Sequence, residues 1–314
     1  MSEKIKVVAV VGPTASGKTG AAIHLAKRFG GEIVSVDSMQ IYKYMDIGSA
    51  KPTAEERKEA VHHMVDFLDP RERFSVAQYV EAAGKVIKDI ASRGKTVIAV
   101  GGTGLYMDSL LDGISFSETS RDDELREELK RYADENGNES LLEMLREIDA
   151  ESAERLHPNN VGRVIRAIEI YRLTGVTMSE HIRRSKESES EYDVLRIGLD
   201  FRDRGKLYSR IDARVDEMIE KGLLSEARTL REAGMSATAS QAIGYKELYA
   251  YMDGEKSFEE CVEDIKRETR RYAKRQLTWY RRNKAVKWLY YDEYESVQEL
   301  LSEAQGYVSE FLVD

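Results

Sequence analysis

The sequence predicts an α/β fold: a parallel sheet core around a phosphate-binding P-loop, with helices on both faces and an all-helical insertion. Three observations carry that expectation. The chain opens with an apolar, β-branched run, KIKVVAVV, which ends in glycine and runs into a helical pattern. Two more short buried-strand patterns follow, GEIVSVDS and KTVIAVGG, with helical spacing between them. From about Thr119 to Glu191 no strand-like run occurs at all, and charged helical patterns succeed one another.

Taken in order, the first strand leads to a helix from Lys18 to Phe29, and GEIVSVDS supplies the second strand. SVAQYVEAAGKVIKDIASRG is a helix with a glycine stop, and it delivers the chain to the third strand. Alternation of strand and helix implies parallel pairing and a sheet covered on both sides, with active groups gathered at the strands' carboxyl ends. Residues 1–118 form the first part of this core. The insertion, 119–191, reads as the helices RDDELREELKRYADENG, SLLEMLREID and NNVGRVIRAIEIYRLTG, with the polar SKESESE as a flexible exit. Residues 192–314 complete the core: YDVLRIGLDF returns to strand character, AVKWLYY is a last strand, and SVQELLSEAQGYVSEFL a closing helix. Helix 258–282 is the longest and most basic.

Composition narrows the class. In 314 residues, 41% hydrophobic and 33% charged side chains describe a globular chain. No apolar run reaches the ~18 residues of a membrane span, and the N-terminus lacks a secretory h-region. The single cysteine, Cys261, excludes an internal disulfide or a cysteine-rich zinc site, so a reducing cytoplasm is expected, and a monomer. The net charge of −9 is unevenly spread: residues 266–287 hold ten Lys or Arg and one Glu, giving +9 there and −18 elsewhere. A basic stripe on an acidic protein still suits a polyanion.

The chemistry begins at Gly12-Pro13-Thr14-Ala15-Ser16-Gly17-Lys18-Thr19, a G-x-x-x-x-G-K-[ST] motif between strand and helix. Its amides and helix N-terminus cradle a diphosphate-like anion, Lys18 adds a point charge and Thr19 offers a hydroxyl to Mg²⁺. The loop does not name the molecule. Asp37, just past the second strand, stands open to three roles: general base, Mg²⁺ orienter, or cap of the next turn. At the third strand's end, ATPases and GTPases usually place a carboxylate. Here Gly101, Gly102 and Gly104 replace it, which lets a backbone or a flat ring come close, with Thr103 and Tyr106 facing the gap. No NKxD tetrad is present. In RYAKRQLTWYRR, cations at helical spacing alternate with Tyr272, Trp279 and Tyr280; they suit RNA phosphates and bases, or a solvated helix with core aromatics. Arg210 and Arg214 lie one turn apart and either clamp a diphosphate or pair with Asp212 and Asp216. His62–His63 reads as structural.

GPTASGKT, SVDSMQIYKYMDIGSAKP, VGGTGLY, AIGYKE and YAKRQLTWYR, in that order, resemble the bacterial tRNA dimethylallyltransferases. The resemblance covers nearly the whole chain. It implies transfer of a dimethylallyl group from dimethylallyl diphosphate to the exocyclic amine of the adenosine 3′ of the anticodon, with Mg²⁺ as cofactor and no ATP consumed. It implies that Asp37 is the base and that Asp37, Ser38, Met39 and Gln40 hold the adenosine, with Thr103 beside it. Gly12, Thr14, Ala15, Ser16, Gly17, Lys18 and Thr19 become the diphosphate loop, joined by Arg210 or Arg214. The insertion becomes the grip on the anticodon stem-loop, making Arg121, Arg126, Arg163 and Arg166 candidate RNA contacts beside Lys274 and Arg275 of the basic helix. Three rival readings stay open on the residues: a P-loop nucleoside kinase, an adenylate isopentenyltransferase acting on a free nucleotide, and a non-catalytic RNA-binding ATP switch.

Overall fold

A computed structural model describes residues 4–113, 121–187 and 189–313. It divides into two compact units, one formed by the chain up to Leu111 and from Glu191 onward, the other by Asp112–Ser190. The boundary expected at 118/119 falls outside the described residues.

The first unit is an α/β layer structure. Its strands are β1 (Ile5–Val11), β2 (Glu32–Ser35), β3 (His62–His63), β4 (Val97–Gly101), β5 (Tyr192–Asp200) and β6 (Val286–Tyr290). They form one sheet in the order β3-β2-β4-β1-β5-β6, every pairing parallel. The inner strands β1, β2 and β4 are buried on both sides, which is why the sequence shows continuous apolar runs and no alternation there. Alternate residues still serve opposite faces. Val7, Ala9 and Val11 of β1 enter one core, whereas Val8 and Val10 enter the other.

Helices α1 (Lys18–Phe29) and α14 (Val297–Val313) cover the second of these faces. The first face is covered by α3 (Val76–Ser92), α4 (Gly104–Leu111), α11 (Leu223–Ala233), α12 (Lys246–Met252) and α13 (Phe258–Tyr280), with the short α2 (Ala54–Glu59) and α10 (Arg204–Glu220) completing the unit. Helix α1 begins at Gly17 in left-handed backbone, φ 81°, and stops at Gly30, φ 61°. Helix α13 starts at a capping box between Ser257 and Glu260. It ends at Tyr280, one turn's fraction short of the expected residue 282, with Arg281 as its cap.

The edge strand β3 was not foreseen. It makes His62–His63 part of the sheet, with His63 Nε2 2.7 Å from Glu32, whose carboxylate also takes Arg93 at 2.6 Å and Lys95 at 2.5 Å. The pair is structural, as read.

The second unit is all helix: α5 (Asp123–Asn136), α6 (Asn138–Ile148), α7 (Ala150–Arg155), α8 (Val161–Thr174) and α9 (Met178–Glu187). Its own core packs Leu125, Leu129, Leu141, Leu145, Val164 and Ile168. Two of these helices, α7 and α9, exceed the three expected. Helix α9 reaches into the stretch read as a flexible exit, because Thr177 and Ser179 give MSEHIRRSKE a polar start that its composition hid.

Candidate active site

The carboxyl ends of β1, β2 and β4 open into a cavity of about 1230 Å³. A single small ligand needs roughly 300–1,000 Å³, so the space suits two reactants. Thr14, Ala15, Gly17, Lys18 and Thr19 line one side, Asp37, Ser38, Met39 and Gln40 another, and Arg210, Arg214, Tyr272 and Arg275 a third. Sequence-distant candidates are thus brought together within one unit.

The phosphate loop follows from β1 turning at Gly12, where an added Cβ would strike the Leu199 carbonyl. Gly12 shapes the turn from beneath and does not line the cavity. Ser16 departs from expectation: its side chain is fully buried, and its hydroxyl has no hydrogen-bond partner. Its main-chain amide donates to the Pro13 carbonyl at 3.4 Å. Lys18 Nζ donates to the Pro13 carbonyl at 2.5 Å. Burial, then the charge of Arg214, pushes Lys18 down to about 7, against the pull of Asp37. A bound anion would favour the charged form of this lysine, and a loop of this kind is shaped to receive one.

The two arginines occupy different places around the loop. Arg210 donates to the Ala15 carbonyl at 3.0 Å, with its guanidinium over the Phe201 ring, so it braces the loop. Arg214 is recessed in the cavity; burial lowers its pKa and the charge of Asp37 raises it. The aspartates offered as alternative partners are taken elsewhere: Asp212 by Arg270 at 2.5 Å and Asp216 by Lys266 at 2.8 Å.

Asp37 Oδ1 accepts the amides of Met39 at 2.9 Å and Gln40 at 3.3 Å. Burial raises its pKa; those two amides, and then Lys18 and Arg214, work against the rise. The cap role is therefore real, but it uses one oxygen. No described residue donates to Oδ2. Thr103 Oγ1 accepts the Ser38 amide at 3.2 Å and so ties the end of β4 to the Asp37 turn. The Gln40 amide is spent within its loop, donating to Ser49 and Ala50 carbonyls at 3.3 and 3.1 Å while accepting from Ser35.

The glycines after β4 have a structural cause. A Cβ at Gly101 would fall on the Val36 carbonyl, one at Gly102 on the Gln276 amide, and one at Gly104 on the Trp279 ring. Backbone and ring do come close, and both belong to the protein. Tyr106 does not face the gap: it is buried, its ring 4.6 Å from that of Tyr79. Of Tyr272, Trp279 and Tyr280 on α13, only Tyr272 lines the cavity. Tyr280 is buried with its hydroxyl donating to the Gly101 carbonyl, and Trp279 Nε1 donates to Asp108 at 2.7 Å. Tyr280 ties the helix to β4 and Trp279 packs it on α4.

Several cations of the basic stripe are neutralised on the spot: Arg267 by Asp264, Arg271 by Glu268, Arg281 by Asp200. Lys274 and Arg275 are exposed with no ion pair among the described residues; Arg275 lies over the Tyr272 ring at 5.7 Å.

In the helical unit, Arg126 and Arg166 both bind the fully buried Glu169, at 2.7 and 2.6 Å. Arg121 pairs with Asp123. Only Arg163 of this group is exposed without an ion pair among the described residues.

Sequence reasoning missed Gln276, 5% exposed, whose Oε1 accepts the Thr14 amide at 2.8 Å and whose Nε2 donates to the Gly102 carbonyl at 3.0 Å. A signal existed: Tyr272, Gln276 and Tyr280 recur every four residues, marking one helix face. It missed Glu226 as well, which accepts the amides of Asp46, Ile47 and Gly48 and the Tyr245 hydroxyl, and Lys51, buried between Asp46 and Asp66. These hold the loop after Gln40.

No group of three or more His, Cys, Asp or Glu among the described residues is placed to hold a metal. The Thr19 hydroxyl has no protein partner among them. One hydroxyl beside a phosphate loop fits Mg²⁺, which keeps waters and takes further ligands from substrate oxygens.

Comparison with known proteins agrees with this geometry. The family described as IPP transferase matches residues 40–283. A tRNA dimethylallyltransferase of Acetivibrio thermocellus is 49% identical over 307 residues, spanning 97% of this chain and 98% of that one. One from Anoxybacillus flavithermus is 50% identical over 284 residues, 90% of this chain and 89% of the other. Among solved structures, the tRNA isopentenylpyrophosphate transferase of Bacillus halodurans superposes with a TM-score of 0.74 at 42% identity, covering 98% and 97% of the two chains. A eukaryotic dimethylallyltransferase acting on tRNA superposes with a TM-score of 0.80 at 29% identity, covering 97% of this chain and 80% of that one.

Proposed function

The chain belongs to the IPP transferase family, and on that premise we propose that it transfers a dimethylallyl group from dimethylallyl diphosphate to the N6 amine of the adenosine 3′ of the anticodon in tRNA, releasing diphosphate. The observation that carries this reading is one cavity with a phosphate loop on one wall and a recessed carboxylate on the other. A kinase needs the same loop. What supports an alkyl transfer is the protein-filled end of β4, where Gly101, Gly102 and Gly104 seat α13 in place of the carboxylate that ATPases and GTPases usually carry there.

The amine nitrogen attacks the allylic carbon as the carbon–oxygen bond to diphosphate breaks. The amine proton passes to Asp37 Oδ2, the oxygen left without a protein donor. Burial raises the carboxylate's proton affinity, which suits a base acting on a weakly nucleophilic amine. Negative charge moves onto the departing oxygens, where Lys18, Arg214 and the first amides of α1 are already in place. Thr19 would hold Mg²⁺, which supplies charge neutralisation to the diphosphate. Arg210 supports the loop from behind.

The adenosine must leave its stack to reach Asp37. Lys274, Arg275 and Arg163 are cations available to RNA phosphates. We also read the protein as cytoplasmic and monomeric; no helix among the described residues is long and apolar enough to cross a membrane.

The test is a transfer assay with purified protein, Mg²⁺ and unmodified tRNA, and parallel tubes with AMP as acceptor or labelled ATP as donor. Label passing from dimethylallyl diphosphate into tRNA, without ATP turnover and lost on chelation, is expected. Phosphate released from ATP without prenyl transfer would return the chain to the kinases.

A further inference from the structure

We propose that Gln276 is a positioning residue whose side-chain amide sets the spacing between the donor loop and the acceptor turn. The inference rests on the transfer reaction above and deepens it.

Gln276 belongs to neither half of the site, yet it touches both. Its Oε1 accepts the Thr14 amide of the phosphate loop at 2.8 Å. Its Nε2 donates to the Gly102 carbonyl at 3.0 Å. Gly102 is followed by Thr103, whose hydroxyl oxygen accepts the Ser38 amide at 3.2 Å, next to Asp37. A single planar amide therefore links the loop that holds the leaving group to the turn that holds the base. It sits on α13, which Trp279 and Tyr280 anchor to Asp108 and Gly101. One turn earlier, Tyr272 faces the cavity; burial, then the charge of Asp37, pushes its phenol up to about 12, and contacts with Thr103 and Gln276 oppose that.

Two features mark a requirement for this amide in particular. Gly102 has no room for a side chain, because a Cβ there would overlap Gln276 Nε2. Gln276 is also buried, so its own amide must find both a donor and an acceptor within the protein. A primary amide alone among side chains of this length offers an acceptor to Thr14 and a donor to Gly102. A carboxylate of the same shape keeps the first contact and turns the second into repulsion. Protonating it restores the donor.

Displacement at an allylic carbon depends on alignment of amine, carbon and departing oxygen, and a misplacement of ~1 Å can cost ~10²-fold in rate. A fault in spacing should thus appear in kcat, while each substrate still meets its own intact contacts. Gln276→Glu and Gln276→Met are compared with the parent in steady-state transfer between about pH 6 and 9, alongside melting curves and direct binding of dimethylallyl diphosphate and tRNA. Both variants should lose ~10- to 10²-fold in kcat at neutral pH, with binding of each substrate changed by less than ~3-fold. The activity of Gln276→Glu relative to the parent should rise as pH falls, and that of Gln276→Met should stay flat. Parent-like kcat in both variants, or losses that track binding or melting alone, would overturn the assignment. So would a flat relative profile for Gln276→Glu. If Gln276→Glu does not fold at neutral pH, the kcat-against-binding split in Gln276→Met decides. Absence of transfer by the parent would instead sink the proposed function.

Discussion

Asp37 and Lys18 are each held away from their ordinary ionisation by the same recess, and each is expected to respond when the cavity fills. Asp37 uses Oδ1 to cap its turn and has no protein donor on Oδ2 among the described residues, so of the three roles the sequence left open the cap occupies one oxygen and the proposed base role falls to the other. Asp37→Asn keeps an acceptor for the Met39 amide but removes the proton acceptor. Turnover is expected to fall ~10²-fold or more with tRNA affinity near the parent's, as filter binding beside the transfer assay would record; undiminished turnover would strip Asp37 of the base role. Burial and the charge of Arg214 push Lys18 down to about 7, against the pull of Asp37, which brings its titration into the neutral range. A diphosphate favours the charged form, so the pKa should rise on binding. Binding at pH 8 should then take up a fraction of a proton, read from calorimetry in buffers of different ionisation enthalpy, and donor affinity should weaken as pH climbs above 7. Lys18→Met should abolish the uptake. Equal heats in all buffers would mean that Lys18 is already charged without ligand.

Helix α13 is the element on which the site depends most, and it is only half legible in the sequence. Its charge was plain, and so were the helix itself and its length. What spacing alone did not reveal is that its cations are largely spent on Asp212, Asp216, Asp264, Glu268 and Asp200, since partners supplied by other elements are invisible before the fold is known. The glycine block after β4 was legible as a place of close approach, yet the visitor is the helix's own Gln276 and Trp279. Gly104→Ala should therefore be felt through Trp279, destabilising by about 1–3 kcal/mol as overpacking does and lowering the melting temperature; a neutral result would mean that the indole can swing aside from Asp108. The exposed cations are a separate matter, and of the two Arg275 also lines the cavity. Lys274→Ala with Arg275→Ala should weaken tRNA binding and reduce the slope of log K against log salt by up to about 2. An unaltered slope would remove this face from the RNA. The phosphate loop lies at the other extreme of legibility: Gly12 to Thr19 could be read from eight residues, because local backbone chemistry alone builds it. Glu226, Lys51 and Gln276 could not, because each acts through partners far away in sequence.

Across the whole molecule, the acidic excess and the helical unit's separate hydrophobic core assign different work to arginines that look alike in the sequence. The helical unit has its own core, so it must also stabilise its own buried charge. Glu169 is fully buried there. Burial alone would raise its pKa, but Arg126, Arg166 and the Asp122 amide outweigh it and hold the carboxyl at about 2, below its ordinary 4.5. A depressed carboxyl contributes stability in full above about 4.5 and loses it as pH falls toward 2, so this unit should weaken across that acid window. Arg126 and Arg163 then become opposites. Arg126→Ala leaves a buried carboxylate short of a partner and should cost about 3 kcal/mol, lowering the melting temperature at pH 7 more than at pH 3, where Glu169 gains less from its partners. Arg163→Ala removes an exposed side chain with no ion pair among the described residues. It should leave melting within about 0.5 kcal/mol of the parent and weaken tRNA binding instead. Thermal melts and binding titrations on the two variants separate the roles. If both lose only stability, or both lose only binding, the division between a structural and an RNA-facing arginine fails, and the helical unit's hold on RNA must be sought on another face.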